Sequence, residues 1–342
     1  MSDAPIQVGV IGLGMMGMTH LDAYAKLSNA RVVAVADRNE DKRTGRTKAS
    51  GNIEGQAQGG FDFDTVKQYA EPADLIADPD VQLVDVCLPT PTHVKFALTA
   101  LEAGKHVLIE KPLARTAEQA DQIIAAAERS PGLTMCAMCM RFWPGWTWLK
   151  DAVDQQTYGT VHAATFRRLA DHPGGKYYED GDACGGAILD LHIHDADFVQ
   201  YLFGMPESVT SVGYSKLTNR VDHVATQYHF AGSNPPLVTA EGGWSMAKGF
   251  GFRMEYTVNF AEATAVFDLA QSEPLTLYRS GAEPETIELP EGMGYEHEIR
   301  YFLDCLASGE KPSRITLASA ADSIRLIEAE ARSVEARQRV SL

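Results

Sequence analysis

At 342 residues, 45% hydrophobic and 22% charged, the chain has enough material for about two domains with sizeable cores. Its formal net charge of −16 argues against nonspecific binding to nucleic acid or to an anionic membrane. No apolar run reaches the ~20 residues of a membrane span, and the start, Met1-Ser-Asp-Ala-Pro5, lacks a basic stretch followed by an apolar one, so a cytoplasmic protein is expected.

In chain order, the first stretch to carry chemistry is Gln7-Val-Gly-Val-Ile-Gly12-Leu-Gly14-Met15-Met16-Gly17. An apolar strand runs directly into Gly12-x-Gly14-x-x-Gly17, and residues 18–27 read as a helix. This is the order of a dinucleotide-binding fingerprint. Gly12 allows the tight turn, Gly14 lets backbone approach a pyrophosphate, and Gly17 lets helix pack close on strand. The helix N-terminus then offers N–H groups and a positive dipole end to the phosphates. A second strand, Arg31-Val-Val-Ala-Val-Ala36, ends at Asp37, twenty positions after Gly17, where an acidic residue binds the ribose 2′-hydroxyl. Asp37 favours NAD, and the neighbouring Arg38 leaves NADP as the alternative.

Residues 39–50 read as a charged helix, 51–60 as a polar loop, and 66–69 as a short third strand. Further strands fall at 83–88, 105–109 and 133–140, separated by helices at 75–79, 94–103 and 117–129. This alternation implies an α/β, doubly wound parallel sheet, with ligands beyond the carboxyl ends of its strands. Those ends are Gly12–Gly17, Asp37, Pro89-Thr90-Pro-Thr-His93, Glu110-Lys111-Pro112 and Arg141.

The pattern then changes. A tryptophan-rich helix at 143–153, a strand at 160–168 and an irregular segment at 171–186 precede a helix at 187–203. Strand-like runs follow at 209–216, 221–230, 237–245, 253–260, 264–269 and 275–278, and Val224, Thr226, Tyr228 and Phe230 show period-two spacing. These imply an α+β domain on an open, mainly antiparallel sheet. Two amphipathic helices close the chain, one carrying Tyr295, Ile299, Phe302, Leu303 and Leu306 on one face before Gly309, the other at 318–337.

Five cysteines, Cys87, Cys136, Cys139, Cys184 and Cys305, are odd in number and scattered, which fits reduced thiols. Cys136-x-x-Cys139 has no second pair, so neither zinc nor redox use is expected. Lys111, at the ligand edge, can donate to a substrate oxygen, although a solvated loop lysine would look the same. Glu110 can serve as a helix-start carboxylate. Asp190-Leu-His192-Ile-His194 is the densest ionisable cluster; on a helix Asp190 and His194 share a face, and a carboxylate beside an imidazole suits a general base. The bland alternative is a helix with satisfied polar groups. A metal reading of Asp190, His192 and His194 lacks the spacing of a known ligand set, and no metal is expected. Arg141-Phe-Trp143-Pro-Gly-Trp146-Thr-Trp148 can line a pocket or fill a core, with core packing favoured for at least two of the tryptophans. Tyr177, Tyr178 and Asp182 can bind a polyol or sit in an exposed loop.

These motifs together resemble the Gfo/Idh/MocA oxidoreductases, the family of glucose–fructose oxidoreductase and inositol dehydrogenase. The resemblance covers essentially the whole chain. It rests on Gly12–Gly17, on Pro89–His93 with Ala103-Gly-Lys-His106, on Glu110-Lys-Pro-Leu-Ala114, and on Gly185-Gly-Ala-Ile-Leu-Asp-Leu-His-Ile-His194. It implies a Rossmann domain over 1–141 and a substrate-binding, oligomerising C-terminal domain over 142–342. It also implies NAD, or NADP, a small-molecule sugar or cyclic polyol as substrate, and a homodimer or homotetramer. Under it Lys111, Asp190 and His194 are the catalytic trio. Gly12, Gly14, Met15, Met16, Gly17, Asp37, Arg38, Pro89, Thr90, His93, Glu110 and Lys111 hold the cofactor. The chain departs from the family at His192, where many relatives carry a small residue; this leaves room for altered substrate choice. The region 39–64 is longer than usual. Two other outcomes compatible with the family are an NAD-using glycosidase and a non-enzymatic NAD-sensing regulator, and the intact trio argues against the regulator.

Overall fold

A run of buried apolar residues from Val8 to Ile11 builds strand β1 (Ile6–Ile11) of the computed structural model, which describes residues 4–47, 56, 59–233 and 235–342. Then come α1 (Met15–Tyr24), β2 (Ala30–Ala36), α2 (Glu40–Arg43), β3 (Lys67–Tyr69), α3 (Pro72–Ala77), β4 (Leu83–Val86), α4 (His93–Glu102), β5 (His106–Glu110), α5 (Ala117–Ala127) and β6 (Thr134–Ala137). The strands form a six-stranded sheet in the order β3-β2-β1-β4-β5-β6, and every pairing is parallel. The order reverses between β1 and β4, so their carboxyl ends flank the crevice where such sheets bind ligands. The expected helix at 39–50 shrinks to one turn, α2, capped by the Asn39 side chain on the Asp41 N–H. Its last three residues, and 51–55 and 57–58 of the expected loop, lie outside the described residues.

The remaining elements are α6 (Pro144–Asp154), β7 (Val161–Asp171), the short α7 (Lys176–Glu179), α8 (Gly181–Cys184) and α9 (Gly186–Asp190), then α10 (Ile193–Phe203). Strands β8 (Ser208–Tyr214), β9 (His223–His229), β10 (Leu237–Met246), β11 (Phe252–Phe260), β12 (Thr264–Asp268), β13 (Leu275–Tyr278) and β14 (Glu285–Thr286) follow, and α11 (Gly294–Ser308), α12 (Leu317–Ala336) and β15 (Val340–Ser341) end the chain. The second sheet has nine strands in the order β14-β13-β12-β11-β7-β10-β9-β8-β15. Among the described residues only β10 with β7 is parallel; the other pairings are antiparallel. Period-two burial on β9 leaves Val224, Thr226 and Tyr228 inside.

The chain divides into two compact units, Met1–Cys139 with Met293–Ala321, and Met140–Gly292 with Asp322–Leu342. The first break falls within two residues of the expected boundary. The return of Met293–Ala321 to the first unit differs from the expectation that the whole tail belongs to the C-terminal domain. Helix α11 lays its buried face, including Ile299 and Phe302, against α1 and β6, so the hydrophobic stripe read from sequence has its partner in the first unit.

In the second unit, Phe166 on β7, Tyr256 on β11 and Phe267 on β12 lie in cross-strand register and enclose Trp146 of α6 with Phe198 of α10. Trp146 is fully buried and Trp143 nearly so, the core role favoured from sequence. Arg141 is not at a ligand edge. It is buried and bidentate to Asp197, with Nε–Oδ2 at 2.9 Å and Nη2–Oδ1 at 2.6 Å, so its charge is spent inside the unit. Among the described residues no helix is long and apolar enough to cross a membrane, and all five cysteines are buried free thiols.

Candidate active site

The glycine turn sits at the switch point of the first sheet. Gly12 has φ +92°, a left-handed conformation that glycine adopts without strain, and its N–H donates to the Ala36 carbonyl at 2.8 Å. A Cβ on Gly17 would lie 1.9 Å from the Gly12 carbonyl oxygen, so α1 approaches β1 more closely than any side chain permits. A Cβ on Gly14 would meet nothing within 4 Å. The turn therefore presents open backbone at the N-terminus of a ten-residue helix, which fits a dinucleotide pyrophosphate.

Asp37 follows β2 on the same edge. Its carboxylate accepts the Leu13 N–H (2.8 Å) and the Asn39 N–H (2.8 Å), which ties the second strand end to the glycine turn. Lys42 Nζ is 3.9 Å from it. Arg38 is 77% exposed and lies 3.5 Å from Glu71, so it is held only loosely.

After β4 the chain forms a one-turn helix at Thr90–Thr92 and enters α4 at His93. His93 is 1% exposed, with Nδ1 2.9 Å from the Pro112 carbonyl and Nε2 2.7 Å from the Leu88 carbonyl. Burial holds its pKa below the ordinary imidazole value, against the pull of the two carbonyls, and the neutral ring donates to one of them at a time. The imidazole clamps the Leu88 loop to the Pro112 loop because both its polar atoms face inward. Glu110, at the end of β5, is likewise turned inward at 5% exposure, with Oε2 accepting the Lys111 N–H at 3.0 Å. Lys111 itself is half-buried, and its bond to Pro112 is cis.

In the second unit, the helix expected over 187–203 is two helices. Gly185 and Gly186 have φ of +92° and +75°, and the chain breaks again at Leu191–His192 between α9 and α10. Asp190 ends α9 and His194 is the second residue of α10, and both are half-buried. The structure separates His192 from them. His192 is fully buried, its Nε2 2.8 Å from Glu330 on α12, and that carboxylate also accepts from Tyr228 Oη at 2.9 Å and Thr226 Oγ1 at 3.0 Å. The His192 imidazole is thus turned into the interior of the unit and engaged by Glu330. Tyr178 packs edge-on against Trp244 and Tyr177 against Tyr178, and Asp182 is paired with Arg220 (2.7 Å), so these residues brace the α7–α8 segment expected to be irregular.

Sequence reasoning missed His20, Asp85 and Glu298 in the first unit: His20 lies between Asp85 and Glu110, and Glu298 lies beside His20 and Glu110. A signal existed: Asp85 stands in the middle of the apolar run Leu83-Val-Asp-Val86, and a charge inside a buried strand needs a partner.

Comparison with known proteins agrees with this geometry. Residues 6–137 match the Gfo/Idh/MocA oxidoreductase family model with an NAD-binding Rossmann fold, and residues 146–266 match the Gfo/Idh/MocA C-terminal domain model. The chain is 31% identical over 199 residues to myo-inositol 2-dehydrogenase of Thermotoga maritima, a stretch covering 58% of this chain and 55% of that protein. It is 34% identical over 223 residues to inositol 2-dehydrogenase of Ralstonia nicotianae, covering 64% of this chain and 61% of the relative. The match thus spans little more than half the length of these curated relatives. Inositol 2-dehydrogenase 2 of Paenarthrobacter aurescens is 28% identical over 94% of this chain and 92% of its own. Among solved structures, levoglucosan dehydrogenase in complex with NADH and levoglucosan superposes with a TM-score of 0.83 at 21% identity, covering 98% of this chain and 99% of the other, a likeness of fold.

Proposed function

Because the chain belongs to the Gfo/Idh/MocA oxidoreductase family and carries its NAD-binding Rossmann fold, we propose that it is an NAD(P)-dependent dehydrogenase acting on a secondary alcohol of a sugar or cyclic polyol. The observation that carries the reading is one strand edge holding the open Gly14 backbone, the Asp37 carboxylate and Lys111. The acts of the inositol and levoglucosan dehydrogenases named above support the substrate class.

Gly12, Gly14, Met15, Met16 and Gly17 would hold the pyrophosphate, Asp37 the adenosine ribose with Arg38 beside it, and Pro89, Thr90 and Lys111 the nicotinamide side. Glu110 and His93 shape that wall from behind. When bound, the cofactor supplies the hydride acceptor at nicotinamide C4. In the oxidation direction His194 takes the hydroxyl proton. Asp190 orients the imidazole and favours its charged form, and Lys111 donates to the same oxygen and stabilises its developing negative charge. General acid–base help of this kind is worth about 10²–10⁴ in rate. We place the enzyme in the cytoplasm as a homodimer or homotetramer; the buried free thiols fit a reducing compartment, and light scattering would fix the assembly.

Absorbance of the reduced nicotinamide tests the reading, with purified protein, NAD or NADP, and a panel of inositols, pyranoses and levoglucosan. Substrate-dependent reduction is expected with NAD. Tight cofactor binding with no net reduction on any polyol would refute the dehydrogenase and point to internal redox hydrolysis or sensing.

A further inference from the structure

The polar groups that this chemistry leaves unused gather inside the first unit. His20 on α1 is completely buried, with Nδ1 2.8 Å from Asp85 Oδ2 and Nε2 3.0 Å from Glu110 Oε1. The first contact is an aligned hydrogen bond; the second is an ion-pair contact off hydrogen-bond alignment. Asp85 also accepts from Tyr24 Oη at 3.0 Å and from the Cys87 thiol at 3.4 Å. Glu110 uses its other oxygen for the Lys111 N–H. From α11 comes Glu298, 0% exposed, with no hydrogen-bond partner on either oxygen among the described residues. Its carboxyl oxygen, a Glu110 oxygen and a His20 nitrogen lie within 4.8 Å of one another.

The groups facing His20 are thus Asp85, Tyr24, Cys87, Glu110 and Glu298. Burial opposes a charge on His20, but the Asp85 carboxylate outweighs it and raises its pKa, which favours the doubly protonated ring between Asp85 and Glu110. A buried carboxylate without a donor does not stay ionised; burial, with Glu110 beside it, pushes Glu298 well up, and it holds its proton. A ring protonated on both nitrogens has no lone pair for a metal.

We propose that His20 is a positioning residue for Lys111: it fixes Glu110, Glu110 fixes the Lys111 backbone, and Glu298 fills the remaining space. This rests on the reading of Lys111 as the substrate-facing lysine. Its specific content is that a residue three positions past the last glycine of the turn sets the geometry at the end of β5.

His20→Asn keeps a donor toward Asp85 and loses the reach to Glu110. His20→Gln reaches Glu110 and, if the Asn variant fails to fold, carries the test by rescue. In the apoprotein, amine labelling of Lys111 read by peptide mass spectrometry should change at least about threefold in His20→Asn, with Lys95 and Lys105 unchanged, and return to wild type in His20→Gln. With cofactor and polyol, His20→Asn should lower kcat about tenfold while cofactor Kd stays within about threefold. The double variant His20→Asn with Lys111→Ala should be no slower than Lys111→Ala alone. Unchanged labelling with additive losses overturns the proposal. If wild type has no turnover, or Lys111→Ala is fully active, the catalytic reading fails, and the labelling alone decides whether His20 positions Lys111. Glu298→Gln should label and melt as wild type, because an amide copies a neutral acid. A stoichiometric divalent ion in wild type that Glu298→Gln abolishes would overturn this role of Glu298.

Discussion

Two alanines in the glycine turn should part company. Gly14 has φ −78° and ψ −165°, an extended conformation open to any residue, and its Cβ would meet nothing within 4 Å. Gly14→Ala therefore costs folding only a poorer helix N-cap, about 1 kcal/mol. The methyl does occupy the surface on which a pyrophosphate would lie. Losing one or two charge-assisted N–H contacts there is worth about 1.5–3 kcal/mol, a fall in NAD affinity of roughly ten- to hundredfold. Gly17→Ala is the reverse. A carbon 1.9 Å from the Gly12 carbonyl oxygen overlaps backbone that has no flexible side chain to move, so α1 must shift off β1. Overpacking of that kind costs about 3 kcal/mol or more, which lowers Tm by roughly 6–12 °C. Calorimetric titration with NAD and circular-dichroism melts read the two effects separately. If Gly14→Ala binds NAD as wild type does, the pyrophosphate is not on that surface; a normal melt for Gly17→Ala would refute the close-packing argument.

Removing the carboxylate in Asp37→Ser deprives the Leu13 N–H of its acceptor and leaves Arg38 beside the ribose site, so the kcat/KM ratio of NADP to NAD should rise about tenfold, and an unchanged ratio would sink the ribose assignment. In His194→Ala, kcat should fall by about 10²–10⁴ with NAD affinity nearly intact, whereas equal loss of both would mean a structural role. His192 supplies a pH test. Burial works against its charge, but Glu330 at 2.8 Å outweighs this and raises its pKa in the folded state. That stabilisation is fully present below the unfolded value of about 6.5 and is lost as pH rises through the higher folded value. Wild type should lose melting temperature across that window and His192→Gln should not; parallel slopes would show that the pair is not ionic.

The first sheet was legible because its strands, apart from the polar β3 (Lys67-Gln-Tyr69), are apolar runs closed by turn residues, and because Gly12, Gly17 and Asp37 mark geometric needs that follow from their own side chains, or lack of them. Strand bounds from 237 to 278 fall within a residue or two of those observed, since period-two burial is a local property. The failures are non-local. β14 and β15 are two-residue strands whose pairing depends on β13 and β8 across the sheet. α11 shows its apolar stripe in the sequence, but nothing in the stripe says that it packs on α1 rather than in the second unit.

The site divides along the same line. Where a motif is short and contiguous, as in Gly12–Gly17 or Glu110-Lys111, its place at a strand end could be read. Which polar residues face inward could not, because that depends on partners far along the chain: Asp197 for Arg141, Glu330 for His192, the Leu88 and Pro112 carbonyls for His93. Glycines inside a strand are, like the charge at Asp85, a local trace of such partners. A Cβ on Gly242 would lie 2.5 Å from His192 Nδ1, and one on Gly243 would lie 2.7 Å from His223 Nδ1. The Gly-Gly pair in β10 is thus the imprint of two imidazoles pressed on the strand. His192 and Gly242 should therefore be exchangeable only together: a small residue at 192 makes room for a side chain at 242, and either change alone leaves a void or a clash.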